Sequence, residues 1–306
     1  MEFHQLRYFC TLARTGSFTK AADEEGIAQP SLSQQIRRLE AAVGAPLFVR
    51  LGRSVQLTVH GETLLPHAKR ILQDITDGRN DLAHLEEGTR GPVRVGVIPT
   101  ILPYLLAPHL GKFAQLYPEV ELRLSEDTTQ RLVERLQSGD LELAILRLPV
   151  RNRDIVVSEL LREPMLMAVA KNHRLAKERA VDLREMYRER LLLLKEGHCF
   201  REDMLTACTR ARAEFHSVFE SDHFGTILPM VAAGAGVTLV PQMAASQAVN
   251  CAVIALAKPQ IRRVGYARIR SRMASKPLKA FIAWLRNVGK AESALYSDVE
   301  PEALRK

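Results

Sequence analysis

The chain has 306 residues, 46% of them hydrophobic and 25% charged, which suits a globular protein of two or three domains and excludes a disordered or fibrous chain. No apolar run is long enough to span a bilayer, and the opening MEFHQLRYFC lacks an export-signal pattern, so the expected location is the cytoplasm, with no membrane partner. The net charge of +8 hints at an acidic partner, but residues 1 to 90 balance eleven Lys/Arg against eleven Asp/Glu, while ten Lys/Arg and no acid lie between Lys258 and Ala291, a run that reads first as a solvated strand and helix face.

Residues 3 to 15, FHQLRYFCTLART, place Phe3, Leu6, Phe9, Cys10, Leu12 and Ala13 on one helical stripe. Gly16-Ser17 stops this helix, and Ser17 is a candidate N-cap for a second over FTKAADEEG, which ends at Gly26. A third is expected in AQPSLSQQIRRLEAAVG. Pro30 suits its first turn, Leu32, Ile36 and Leu39 share one face, and Gly44 terminates it. Three short helices with tight turns, the last polar on its free face, predict a helix-turn-helix. Two alternating stretches in PLFVRLGRSVQLTVHG then flank Leu51-Gly52-Arg53 as a hairpin wing.

This third helix and wing set Arg37, Arg38, Arg50 and Arg53 against Glu40 alone, so the local surface is basic. Ser31, Ser33, Gln34 and Arg37 are the candidates for groove contacts, with Gln29 and Arg38 beside them. Arg50 and Arg53 on the wing are expected at phosphate or in the minor groove. The next stretch, GETLLPHAKRILQDITDGRNDLAHLEEG, spaces Leu64-Leu65, Ala68, Ile71-Leu72, Ile75 and Leu82 roughly by heptads. It predicts a long helix whose seam meets a copy of itself, or packs on its own chain. GTRGP at 88 to 92 reads as a linker.

Beyond the linker the pattern alternates. VRVGVI is a buried strand, ILPYLLAPHLGKFAQLYP a helix, VELRLSE a strand, TTQRLVERLQSG a helix and LELAILR a strand. Strands near 164–170 and 190–195, helices near 199–212 and 224–234, the strand GVTLVP, strands near 252–257 and 262–270, and a last helix in PLKAFIAWLRNVG follow. The alternation predicts parallel α/β structure in two lobes, a ligand-binding architecture. Thr100 and Thr129 each fall between a strand and a helix, as a helix cap would, and also where open α/β sheets bind ligands.

Two of the four cysteines stand nine apart in GHCFREDMLTAC. By spacing alone Cys199 and Cys208 read as core residues or as a redox pair, and Cys208 sits among Leu205, Ala207 and Ala211 as a buried residue does. A zinc site lacks a fourth ligand and the CxxC spacing. Cys10 and Cys251 read as structural or incidental. No Ser-His-Asp set, phosphate-binding glycine loop or metal motif is present, so no enzyme activity and no cofactor is expected.

The marks L..F......GSF..AA and QPSLSQQI..LE...G..LF.R, taken with the two lobes that follow, identify the chain as resembling the LysR-type transcriptional regulators. IPTILPYLLAP, EDTTQRLVERLQSG, EPMLMAVAKNH, LLLLKEGHCFREDMLTAC, MVAAGAGVTLVP and PQIRRVGYARIR are similar, in order, to stretches of the hydrogen-peroxide-sensing members. ARAEFHSVFESDHF departs from them.

The resemblance implies a winged helix-turn-helix at 1–60, a linker and dimerisation helix at 61–90, and an effector region of two Rossmann-like lobes at 91–306, similar to periplasmic binding proteins. Lobe I would be about 91–162 and 268–296, and lobe II about 163–267. It implies promoter DNA, RNA polymerase and further copies of the chain, as a dimer of dimers, as partners, and hydrogen peroxide as effector. By the same resemblance Cys199 is the peroxide-reactive thiol and Cys208 its resolving partner, Thr100, Thr129 and His198 line the pocket, and Arg263 is the nearby cation. The alternative within the family is a small organic effector between the lobes, with structural cysteines.

With 201–212 helical, Glu202 and Asp203 fall in the first turn, and Cys199 sits where free N–H groups, Arg201 and His198 would favour a thiolate. Nine helical residues rise about 13.5 Å and leave the two sulfurs on opposite faces. A disulfide needs Cα atoms within about 7 Å. Pairing therefore requires the segment to refold.

Overall fold

The computed structural model describes residues 1–51, 54–83, 89–210 and 216–296. It divides into two compact units, Met1–Gly88 with Arg135–Asp140, and Thr89–Glu134 with Leu141–Lys306.

In the first unit the helices are α1 (Phe3–Thr15), α2 (Phe18–Glu25), α3 (Gln29–Val43) and α4 (Val59–Ala83), with a hairpin of β1 (Phe48–Leu51) and β2 (Ser54–Leu57) between α3 and α4. Gly16, Gly26 and Gly44 end the first three helices in the left-handed conformation, and the Ser17 side chain caps α2 by accepting from the Lys20 amide. Leu6, Phe9, Leu12, Leu32, Ile36, Leu39 and Leu47 form the core, each at most 3% exposed. Burying side chains of this size is worth about 1.5–3 kcal/mol apiece. Glu40 ties α3 to the wing, its Oε1 accepting from the Leu47 and Phe48 amides at 2.8 and 3.3 Å. The expected seam divides: Ala68 is buried and Leu64, Leu65 and Leu72 pack on this core, whereas Ile71 and Ile75 remain exposed. Residues 84–88 of the expected linker helix lie outside the described residues.

The second unit is built on an eight-stranded sheet. Its strands are β3 (Gly91–Val97), β4 (Val120–Glu126), β5 (Leu143–Leu148), β6 (Ile155–Ala170), β7 (Ala180–Val181), β10 (Thr238–Pro241), β11 (Cys251–Leu256) and β12 (Ile261–Ile269), in the order β4-β3-β5-β12-β6-β11-β7, with β10 also on β6. A second parallel pair, β8 (Arg190–Leu194) and β9 (His216–Ser221), is linked to it by a bridge from Leu191 to Val237. The helices are α5 (Leu110–Leu116), α6 (Thr129–Ser138), α7 (Cys199–Arg210), α8 (Phe224–Ala232) and α9 (Lys276–Tyr296).

The sheet is mixed, not purely parallel as the alternation predicts: β6 and β12 run antiparallel to their neighbours. β6 is also far longer than the strand expected near 164–170. Its first half pairs with β12 as far as Pro164, and from Met165 onward it pairs with β10 and β11. One strand thus carries the chain from one half of the sheet to the other. The helix expected over 101–118 is broken into a π turn at Leu102–Leu106, a 3-10 turn at Ala107–His109 and α5. Pro103 and Pro108 cannot donate helical hydrogen bonds there. Gly96 of β3 lets α6 lie close, because a Cβ at that position would come within 2.5 Å of Leu132 and Leu141.

The basic run is not a uniformly solvated face. Arg262 is buried, Arg263 pairs with Glu159, Arg268 donates to the Ile269 and Arg272 carbonyls, and Arg286 donates to the Tyr266 hydroxyl.

Candidate functional site

Three loops meet beyond the carboxyl ends of parallel strands: 98–100 after β3, 127–129 after β4, and 195–199 after β8, where α7 begins. This is the position at which open α/β sheets expose loops and helix starts to a ligand. Ile98, Pro99, Thr100, Thr128, Thr129, Gly197, His198 and Cys199 enclose a cavity of about 10 Å³. Gly197 adopts φ +91 to turn the chain into α7, a conformation that an L side chain would strain.

Cys199, Thr100, Thr129 and His198 are therefore neighbours around one niche. Thr129 is the first residue of α6; the capping role belongs to Thr128, whose hydroxyl accepts from the Arg131 amide. The Thr129 hydroxyl is buried without an acceptor, faces the Cys199 sulfur, and favours its ionised form. Thr100 is occupied, accepting from Arg262 Nη2 at 2.7 Å.

Two expectations about charge are corrected. Arg263 lies on the outer side of β12, half exposed, with its Nε 2.6 Å from Glu159 Oε2. Its neighbour Arg262 is the cation at the thiol, because adjacent strand residues point to opposite faces. Arg201 and His198 are not among the charges that act on the thiol either. Arg201 donates to the Leu194 carbonyl at 2.8 Å and to Glu220 at 2.7 Å. Burial holds the His198 imidazole below its usual range against the opposing pull of Asp222, 3.7 Å from its Nε2.

The Cys199 thiol is accordingly not an exposed, acidic one. Burial pushes it above the ordinary cysteine range; Arg262 is the largest opposing influence, followed by Thr129 and Arg147, while Asp203 adds to the upward shift. Asp203 is itself clamped by Arg147 across two hydrogen bonds. Sequence reasoning missed Arg262, Arg147, Asp203 and Glu163. The one available signal was the pair Arg262-Arg263 on a predicted strand, of which only one member can face inward.

Cys208 lies on the same helix as Cys199, fully buried among Phe200, Met204 and Ala207, and burial pushes its thiol up to about 11. All four cysteines are free thiols. Cys10 packs against the first unit's core, with its thiol raised to about 11 by burial, and Cys251 donates to the Leu228 carbonyl. Among the described residues no group of three or more His, Cys, Asp or Glu could hold a metal ion, and no helix is long and apolar enough to cross a membrane.

On α3, Gln29, Ser31, Gln34, Arg37 and Arg38 are exposed while Ser33 is half-buried. Gln35 turns inward, accepting from Gln5 at 3.1 Å, and so belongs to the packing of α1 on α3. Arg50 lies on β1, paired with Val55; its side chain and all of Arg53 lie outside the described residues.

A winged helix-turn-helix followed by a two-lobed α/β sensing fold defines a regulator in which one chain both meets DNA and reads a signal. Residues 3–62 match the bacterial regulatory helix-turn-helix proteins of the lysR family, and residues 86–290 match the LysR substrate binding domain. The chain belongs to the LysR family of transcriptional regulators. It is 35% identical over 244 residues to the DNA-binding transcriptional dual regulator OxyR of Escherichia coli K12, covering 80% of each protein. Among solved structures it resembles full-length OxyR C199D from Pseudomonas aeruginosa, with 31% identity, a TM-score of 0.76 and 95% of each chain covered. It also resembles a hydrogen-peroxide-bound cysteine-to-serine mutant of Corynebacterium glutamicum OxyR, with 29% identity, a TM-score of 0.64, and 97% of this chain and 95% of that one covered.

Proposed function

We propose that this chain is a cytoplasmic LysR-type regulator that senses hydrogen peroxide through oxidation of Cys199 and a Cys199–Cys208 disulfide, and so switches promoter activation. The observation that carries this reading is the size and lining of the niche. About 10 Å³ is the space of one water. It is far below the several hundred cubic ångströms that an organic ligand needs, and its lining of one sulfur and two threonine hydroxyls suits a small polar oxidant. The similar Corynebacterium glutamicum OxyR structure, which is bound to hydrogen peroxide, points the same way.

The chemistry balances without a cofactor. The Cys199 sulfur attacks one peroxide oxygen, the O–O bond breaks, and with one proton taken up the departing oxygen leaves as water. The resulting sulfenic acid condenses with the Cys208 thiol; a second water leaves and the S–S bond forms. Each oxidant is consumed once as a signal, so the protein is not an enzyme. Gln29, Ser31, Ser33, Gln34, Arg37 and Arg38, with Arg50 and Arg53 on the wing, are the proposed contacts to promoter DNA. RNA polymerase and further copies of the chain, as a dimer of dimers, are the proposed protein partners. The proposed domains are 1–60, 61–90 and 91–306, and the two lobes meet along β6.

The test is peptide mass mapping before and after stoichiometric peroxide, with promoter transcription measured in parallel. The expected result is a 199–208 linkage and a peroxide response, both lost in Cys199→Ser. A Cys199→Ser protein that still changes promoter output with peroxide would overturn the reading.

A further inference from the structure

Arg262 is held from three sides. Its Nη2 donates to Thr100 Oγ1 at 2.7 Å, its guanidinium carbon lies 5.4 Å from the ring centre of Phe200, the residue after Cys199, and its Nη1 is 3.4 Å from Glu163 Oε1. Both Arg262 and Glu163 are 0% exposed at the side chain. Yet the pair is loosely made. Arg262 Nε and Nη1 and Glu163 Oε1 have no hydrogen-bond partner, and Glu163 is fixed instead through Oε2, which accepts from the Met243 amide at 3.0 Å. The carboxylate thus sits at contact distance from the cation without being locked to it.

We propose that Glu163, which lines no part of the thiol niche, is a positioning residue that sets the reactivity of Cys199 by governing how much of the Arg262 charge reaches the sulfur. The physical reason is that Arg262 is the strongest influence favouring the thiolate, and a buried carboxylate beside it cancels part of its field. When Glu163 carries charge the thiol is held back; when Glu163 is protonated or removed Arg262 acts on the sulfur unopposed. Burial pushes the Glu163 carboxyl up to about 7, against Arg262 and the Met243 amide, so both states are accessible near neutrality.

The other groups facing the pair are accounted for. Glu292 of α9 pushes Glu163 further up; it accepts from the Tyr296 hydroxyl at 2.8 Å and lies 3.3 Å from His109 Nε2. Tyr296 is held in its neutral form by burial and by Glu292. Around the sulfur itself stand Asp203, Arg147 and Thr129. None of these neutralises Arg262 from within salt-bridge distance among the described residues.

The inference rests on Cys199 being the reactive thiol. Its test reads the thiolate directly, through the rate of iodoacetamide alkylation at Cys199 against pH in the full-length protein, followed by peptide mapping. The expected result is that Glu163→Gln moves the midpoint down by about half to one pH unit, roughly three- to tenfold faster alkylation at neutral pH. Glu163→Asp should stay within about twofold of the native rate. In an Arg262→Gln background the Glu163→Gln effect should vanish, as coupling through the guanidinium requires. Slow alkylation of buried Cys208 reports that a variant is folded; where Glu163→Gln exposes it, Glu163→Met carries the test. An unchanged or raised midpoint, or a shift that survives Arg262→Gln, overturns the proposal. Alkylation involves neither peroxide nor a disulfide, so failure here leaves the peroxide reading standing, and failure of peroxide sensing leaves this one standing.

Discussion

At the scale of single residues the niche combines two costs. A thiol is buried where its ionised form is disfavoured, and a hydroxyl is buried without an acceptor. An unsatisfied buried hydroxyl costs about 1–3 kcal/mol, and such a cost persists where the group has a task in another state. For Thr129 that state is the thiolate, or a peroxide oxygen lying against it. Thr129→Val keeps the shape and removes the donor. Its expected outcome has two opposite signs: peroxide oxidation of Cys199 slows about three- to tenfold, while thermal stability holds or rises by about 1 kcal/mol. Stopped-flow oxidation kinetics and a melting curve check it together. A loss of both would mean that Thr129 serves packing. The same scale shows the limit of reading cations from sequence. Arg262 and Arg263 are chemically identical neighbours, and β12 shifts register against β6 between Val264 and Gly265. The extra residue is Leu160 of β6, so alternation along β12 is unbroken: it puts one arginine on each face but does not say which face is the inner one.

At the scale of elements, α7 carries the proposed switch. It holds both sulfurs on one continuous helix, so their pairing has to break backbone hydrogen bonds between positions 199 and 208. Thr206 is exposed in the middle of that stretch and offers a lever on helix stability alone. Thr206→Ala favours the helix and Thr206→Gly disfavours it, with about 1 kcal/mol between them. If unwinding precedes the second step, disulfide closure is up to about fivefold faster in the glycine variant than in the alanine variant, and the first step, sulfenic acid formation, is equal in both. Dimedone trapping separates the two rates, and equal closure rates would show that opening of the helix around position 206 does not limit the second step. This element was legible from acidic first-turn residues and a cysteine at its start. β6 was not. Its first half alternates buried and exposed residues and its second half is buried throughout, because the first half has one solvated face while the second is covered on both. A reader counting one period along the chain sees two unrelated segments. β9 was missed for a different reason: HSVFES carries few apolar residues, as an edge strand paired on one side through β8 allows.

At the scale of the whole molecule, the proposed signal at one thiol would have to change how pairs of DNA-binding units meet a promoter, so assembly would matter as much as chemistry. The first unit offers a specific surface for it. On α4 the residues Leu64, Leu65, Ala68 and Leu72 are spent on the unit's own core, which answers the question of where half the heptad seam goes. Ile71 and Ile75, one helical turn apart, are left on the other side, each 36% exposed. A β-branched apolar pair at i and i+4 on a long helix is the spacing at which two antiparallel or crossing helices interdigitate. Further copies of the chain are among its proposed partners, and this pair is the proposed contact. Placing a charge there leaves the monomer core untouched and buries an unpaired carboxylate only in the dimer. Ile71→Asp and Ile75→Asp are therefore expected to raise the dimer dissociation constant at least about a hundredfold each, from a penalty of roughly 3 kcal/mol, with far-ultraviolet circular dichroism unchanged. Sedimentation velocity over a dilution series reads the dissociation, and weakened binding to a two-half-site duplex but not to a single half-site should accompany it. Dimers as tight as the native protein's in both variants would place the interface elsewhere on the chain.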